Sequence, residues 1–164
     1  MAPPNIDLEG AVVAVTGAGR GIGRATAELF AARGATVWLG DLDAASAEQA
    51  AATIGRAAHP FELDVRSLES FAQFVEAAGP IDVLINNAGV MPAGPFLAES
   101  EATTETIFGV NAAGPLFGMR LVLPGMIERG RGHIVNVASM AGKTEVPGLA
   151  TYVASKHAVI GLTS

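Results

Sequence analysis

Ala11-Val12-Val13-Ala14-Val15-Thr16-Gly17-Ala18-Gly19-Arg20-Gly21-Ile22-Gly23 is the stretch that decides the fold. Its first six residues are a continuous, valine-rich apolar run, which reads as a strand buried on both faces of a parallel sheet. Glycines close the run. A helix follows, with apolar or small residues at Ile22, Ala25, Thr26, Leu29 and Phe30. A strand, a glycine turn and a helix leave unpaired backbone N–H groups at the helix N-terminus, where a pyrophosphate fits. Glycine permits positive φ and leaves room for a ligand to approach the backbone. The spacing Gly17-x-x-x-Gly21-x-Gly23 differs from the commoner Gly-x-Gly-x-x-Gly fingerprint. The bland alternative is a turn that only joins strand to helix.

A second strand, Thr36–Gly40, ends at Asp41, eighteen positions beyond Gly23. That is close to the ~20 at which an acidic residue accepts hydrogen bonds from the adenosine ribose. A carboxylate there repels a 2′-phosphate, and Leu42 puts no basic side chain beside it. Arg20 in the turn argues the other way. On balance the charge favours NAD over NADP. Asp41 could instead cap the next helix, but Asp43 suits that role better.

The β–α alternation continues along the chain. Helix 44–54 leads to a short strand at Pro60–Leu63, which ends at Asp64-Val65. Ser67 caps a helix reaching Ala78. Ile81–Ile85 is a fourth strand before Asn86-Asn87-Ala88-Gly89, and a long helical region covers about 100–129. His133–Val137 is a fifth strand, and Tyr152 opens the last helix. This pattern predicts an α/β fold, a doubly wound, Rossmann-like parallel sheet flanked by helices on both faces. Ligands of such sheets bind beyond the carboxyl ends of the strands. The glycine turn, Asp41, Asp64, Asn86–Gly89 and Ser139 all fall at those ends.

Composition narrows the function. The chain has 164 residues, enough for one domain. Half of them are hydrophobic, and the mean hydropathy is +0.41, as a sheet covered on both faces requires. A net charge of −6 without a basic run argues against nucleic acid. There is no cysteine, so neither a disulfide framework nor a thiolate metal site is expected. His59, His133 and His157 are scattered, without metal-ligand spacing. The N-terminus lacks the pattern of a secretory signal. The charge-free stretch Val83–Ala98 contains Asn86, Asn87, Pro92 and Pro95 and is not a membrane span. A cytoplasmic protein is expected.

Near the other end, Ser139 precedes Tyr152-Val153-Ala154-Ser155-Lys156. Tyrosine and lysine four apart share one helix face. The lysine charge favours the tyrosinate that a phenol needs to act as a base. Alone, the pair reads equally as a solvated contact; behind a nucleotide-binding turn it gains force. Pro115 lies four residues after Asn111 and has no N–H to offer that carbonyl. The Asn111 carbonyl then needs another partner, such as water. A kink that serves packing only, aided by Gly114, explains the same residues.

Together these motifs resemble the short-chain dehydrogenase/reductase family, in its short-subunit, NAD-type branch. The resemblance runs from Leu8 to Ser164. It rests on Thr16-Gly17-x-x-x-Gly21-x-Gly23, Asp64-Val65, Asn86-Asn87-Ala88-Gly89, Asn111, Ser139 and Tyr152-x-x-x-Lys156. It implies hydride transfer between a nicotinamide and a carbonyl or alcohol carbon. Tyr152 is then the acid/base, Lys156 holds the nicotinamide ribose, Ser139 orients the substrate oxygen and Asn111 ties a water into a proton relay. The cofactor site implied is Gly17, Gly19, Arg20, Gly21, Ile22, Asp41, Leu42, Asp64, Val65, Asn87, Ala88 and Gly89, with Tyr152 and Lys156. No metal is implied.

One departure from the family stands out. Its members continue beyond the helix of Tyr152, so residues 1–164 are expected to be a nucleotide-binding and catalytic domain lacking its last strands and its substrate-closing segment. Val90, Met91, Met140, Val146 and Leu149 are candidates to line an apolar pocket, or equally ordinary core. Ile107, Val110, Phe117, Leu121 and Val122, with Val153, His157 and Ile160, offer a second apolar helix face, so a homo-dimer or homo-tetramer is expected. The competing readings are a non-catalytic dinucleotide-binding protein and a sugar-nucleotide epimerase. Keeping Ser139, Tyr152 and Lys156 together favours an enzyme acting on a small apolar alcohol or ketone.

Overall fold

A computed structural model describes residues 7–164. β1 (Val12–Thr16), β2 (Thr36–Asp41), β3 (Ala58–Glu62), β4 (Val83–Asn86) and β5 (His133–Asn136) form one parallel sheet in the order β3-β2-β1-β4-β5. The order reverses direction between β1 and β4, which opens the crevice where such sheets bind ligands. The side-chain period of two divides the strands between two cores. Val13, Val15, Val37, Leu39, Val83 and Ile85 face α1 (Gly21–Ala31) and α2 (Ala44–Ile54). Ala14 and Leu84 face α3 (Leu68–Ala78), whose Phe71 and Phe74 are fully buried. The predicted doubly wound architecture is therefore present.

Local chemistry sets the element ends. Asp43 caps α2 by accepting from the Ser46 N–H, and Ser67 caps α3 by accepting from the Ser70 N–H, as the sequence predicts. β3 starts two residues earlier than predicted and stops one earlier. His59 stacks on Trp38 of β2 at 4.9 Å, which draws Ala58 and His59 into the ladder. Pro60 is tolerated because β3 is an edge strand.

The region predicted as one helix is three elements: α4 (Glu101–Phe108), a π turn at Gly109–Ala113, and α5 (Gly114–Arg129). Pro115 sits in the first turn of α5. In an α register its ring would meet the Asn111 carbonyl. The π turn lengthens the pairing instead, with the Gly114 N–H reaching the Gly109 carbonyl. The proline thus produces an inserted bulge. Helix α6 (Ala150–Thr163) packs against this turn, against α4, and against a 3₁₀ turn at Met140–Gly142.

The run Glu101–Arg129 is long and apolar enough to cross a membrane by length and composition. Ile107, Val122 and Met126 are buried within the protein. This corrects the expected partner face, because Ile107 and Val122 belong to the core. The exposed apolar side chains of this region are Phe108, Leu123 and Ile127.

Candidate active site

A cleft of about 540 Å³ opens beyond the carboxyl ends of the strands. Ten of the predicted cofactor residues line it: Gly17, Arg20, Ile22, Asp41, Leu42, Asp64, Val65, Asn87, Ala88 and Gly89. Gly19 and Gly21 belong to the same turn but are not among the residues that line the cleft. Arg20 caps α1 without any side-chain bond to the first-turn N–H groups, so those donors are left to a ligand.

Close approach demands glycine in this turn at Gly23, at Gly17, and at Gly19, where a Cβ would lie 2.7 Å from the Ser46 Cβ. A Cβ on Gly23 would lie 2.2 Å from the Gly17 carbonyl oxygen. Gly17 has φ +64°, and a Cβ there would lie 2.8 Å from the Ala88 Cα. Asn87 and Thr16 lock the turn to the end of β4. Asn87 Nδ2 donates to the Thr16 and Gly17 carbonyls at 2.9 and 3.1 Å. The Asn87 and Ala88 N–H groups both donate to Thr16 Oγ1 at 3.0 Å.

Asp41 faces this turn. Its Oδ2 accepts from the Gly19 N–H at 2.8 Å and its Oδ1 from the Asp43 N–H at 3.0 Å. An ionised carboxylate has about four acceptor sites, so capacity remains for sugar hydroxyls. Asp64 is differently engaged. Arg66 binds its two oxygens, the shortest contact being 2.7 Å, and holds its carboxyl below the usual carboxylate range. Arg66 also lines the cleft, a position the motif reading passed over because it stopped at Val65.

Asn111 and Lys156 stand beside this cleft, joined to it through Gly89 and Val90, and Lys156 brings the Tyr152 ring with it. A Cβ on Gly89 would lie 3.5 Å from Asn111 Oδ1 and 3.6 Å from Lys156 Nζ. Asn111 is 0% exposed. Its Oδ1 accepts from the Val90 N–H, and its Nδ2 donates to the Val90 carbonyl and to Ser155 Oγ. Ser155 Oγ in turn donates to the Tyr152 carbonyl at 2.7 Å. Both Asn111 Nδ2 donors are thereby spent, and its Oδ1 accepts one bond. Ser155, buried between Tyr152 and Lys156, was hidden in the sequence by the interest of its neighbours.

Lys156 is only 4% exposed. Its Nζ donates to the Val137 carbonyl at 2.9 Å, just past β5, and lies 5.8 Å from the centre of the Tyr152 ring. No carboxylate pairs with it among the described residues. Burial therefore pushes its ammonium below the usual lysine value. An ammonium has three donors, which leaves Lys156 able to bind a ligand as well. Ser139 follows β5, and its Oγ accepts from the Ala141 N–H at 3.1 Å. Its hydroxyl hydrogen stays available to donate. Gly142 lets α6 approach, since a Cβ there would lie 2.8 Å from the Lys156 carbonyl. The described residues contain no group of three His, Cys, Asp or Glu able to hold a metal.

Fold and cleft together define a nucleotide-binding protein of the doubly wound, parallel-sheet class. The family model described as short chain dehydrogenase matches residues 11–164, and the chain belongs to that family. It is 42% identical over 161 residues to a galactitol 2-dehydrogenase of Agrobacterium fabrum, covering 95% of this chain and 63% of that protein. A short-chain dehydrogenase/reductase from Burkholderia phymatum, solved in complex with NAD, superposes with TM-score 0.94 and 35% identity. That match covers 97% of this chain and 59% of the other. A 3-ketoacyl-(acyl-carrier-protein) reductase from Brucella melitensis, complexed with NADH, gives TM-score 0.92 and 36% identity over 95% of this chain and 68% of that one.

Proposed function

We propose that the protein is an NAD-dependent oxidoreductase acting between a secondary alcohol and its ketone. The observation that supports this reading is Lys156, a buried cation without a carboxylate partner among the described residues, set against the Tyr152 ring beside the glycine-lined cleft. A structural lysine has no reason to be there, because burying an unpaired charge is costly. The bound cofactor supplies the hydride-accepting or hydride-donating carbon. Tyr152 exchanges a proton with the substrate oxygen, and the Lys156 charge favours its ionised form. Ser139 donates its free hydroxyl hydrogen to the same oxygen and holds it in place. Lys156 also binds the nicotinamide ribose. Asn111 positions Val90 and α6, and its carbonyl receives the relay water.

The choice of NAD over NADP rests on charge. Asp41 and Asp43 put two carboxylates at the ribose end of the cleft. Hydrogen bonds from Ser46 hold the Asp43 carboxyl below its usual range, with the Arg20 charge a lesser cause. The lowered Asp43 carboxyl is an anion at neutral pH, and the Arg20 charge acts on it. The substrate side carries exposed Met91, Phe96, Leu97 and Met140, which supports a small apolar alcohol or ketone. The exposed Phe108, Leu123 and Ile127 support a homo-oligomer built on this helical face. Light scattering that finds a monomer of the full-length protein at micromolar concentration overturns that last reading.

The deciding experiment replaces the phenol. Tyr152→Phe keeps the ring and removes the proton. In the full-length protein it lowers turnover of secondary alcohols at least the ~10²-fold typical of a lost general acid/base, with NADH binding nearly intact. A variant that turns over at the wild-type rate leaves only a dinucleotide-binding protein.

A further inference from the structure

Helix α6 carries Tyr152 in its first turn yet begins without a cap of its own. Leu149 stands at the N-cap and makes no side-chain bond. The start of the helix is held from outside instead. Thr151, 6% exposed, donates its hydroxyl to Glu99 Oε1 at 2.6 Å. Thr104, in α4, donates to the same oxygen at 2.5 Å. The loops concerned are joined a second time, where the Gly94 N–H reaches the Gly148 carbonyl at 3.1 Å. The two hydroxyls, Thr104 foremost, hold the Glu99 carboxyl below its usual range. At neutral pH it is an acceptor-only anion, so both hydroxyls must donate to it.

We propose that Glu99 is a positioning residue for Tyr152: through Thr151 and Thr104 it fastens the first turn of α6 to α4 and to the loop bordering the substrate side. Tyr152 is the next residue after Thr151, so a shift of Thr151 is transmitted directly to the phenol. Ser139 is anchored separately, by its bond to the Ala141 N–H. The distance between hydroxyl and phenol therefore depends on how the first turn of α6 is held, and Glu99 is one of its supports. The glycine turn itself does not depend on this contact, because Thr16, Asn87 and Asp41 hold it. The inference rests on Tyr152 acting as the acid/base.

The test separates placement from mere stability. In the full-length protein, Thr151→Val removes the donor while keeping the side-chain shape. It is expected to lower kcat about tenfold, since small misplacements of reacting groups carry penalties of that order or more. The NADH dissociation constant, read by fluorescence titration, is expected to stay within about twofold on that account. Thr151→Ser restores the donor and recovers most of the loss. Glu99→Gln keeps an acceptor oxygen and falls between wild type and Glu99→Ala. The double variant Glu99→Ala/Thr151→Val is no slower than Glu99→Ala alone, as expected for two residues acting through one contact. Wild-type kcat in folded Thr151→Val and Glu99→Gln overturns the proposal, as does a loss confined to NADH binding or one that Thr151→Ser fails to recover. Tyr152→Phe is assayed alongside. If it is inactive while the Thr151 and Glu99 variants turn over normally, only the positioning role falls. If it turns over normally, the acid/base reading falls and takes this inference with it.

Discussion

At the β1–β2 end of the cleft the backbone does the holding. Gly17 and Gly23 remove side chains so that main chain can touch main chain, and Asn87, Thr16 and Asp41 bond to peptide groups of the turn and its neighbours. At the other end, around residues 89–99 and 143–149, side chains hold loop to helix. Asn111, Ser155, Glu99 and Thr151 make those ties, and Met91, Phe96 and Leu97 of the first segment are exposed. A ligand shared by many proteins can be bound by backbone geometry, which tolerates little change. A substrate that differs between proteins is met by side chains, which can be exchanged while the fold persists.

Four measurements test that contrast. The largest effect is expected from Gly23→Val, whose side chain must displace the Gly17 carbonyl. NADH affinity should fall by about 10²-fold or more, because the backbone donors lose their arrangement. Gly21→Ala is the control. Space is open around it, and only its φ of +59° resists, so it should cost about 1–2 kcal/mol of stability. If both substitutions weaken NADH binding alike, close approach is not what the turn requires.

Next comes Lys156→Met. Removing a buried, unpaired cation should weaken NADH binding by about tenfold and raise the melting temperature of the cofactor-free protein by a few degrees. The sign follows from burial. The lysine value is lowered in the folded state, so between that value and the ordinary 10.5 the unfolded chain binds more protons. Wild-type stability therefore gains from this group as pH rises through that interval, and the gain should vanish in Lys156→Met. Melting curves of the two proteins across the alkaline range decide it.

Asp41→Ala should have a smaller effect, narrowing the preference for NADH over NADPH by about tenfold as the repulsion disappears. Parallel titrations with both cofactors check this. If NADPH already binds better to the wild type, Arg20 outweighs Asp41. The smallest change belongs to Arg66→Ala, at no more than about 1 kcal/mol, because its bond to Asp64 is partly solvated. Arg66 lowers the Asp64 value, so the contribution is present above the ordinary 3.8 and lost as pH falls through the lowered value. Urea midpoints of the two proteins should converge in acid.

The same contrast explains what could be read from sequence. Backbone-built features leave local marks, and Val12–Thr16, the glycine turn, Asp41 and the caps Asp43 and Ser67 were all legible. The π turn was half legible. Pro115 announced trouble at Asn111, but a lost hydrogen bond can be met by a kink or by an inserted residue, and spacing alone does not choose. Ile107 and Val122 were assigned to a partner face because helix periodicity does not reveal which apolar stripe meets the sheet. Glu99 and Thr151 lie fifty-two residues apart, and no local pattern marks either one.

Pro60 gives the sheet a direction. The Val37 N–H bonds to the Ala57 carbonyl and the Leu63 N–H to the Asp41 carbonyl. Residues 57, 59, 61 and 63 therefore turn their peptide groups toward β2, and residues 58, 60 and 62 turn theirs outward. Pro60 is the middle of that outward row and has no hydrogen to give. A foreign strand arriving beside β3 would find its central rung missing. At the opposite margin Ile134 and Asn136 turn intact peptide groups away from β4. Within the described residues the outward peptide row is thus interrupted at β3 and unbroken at β5.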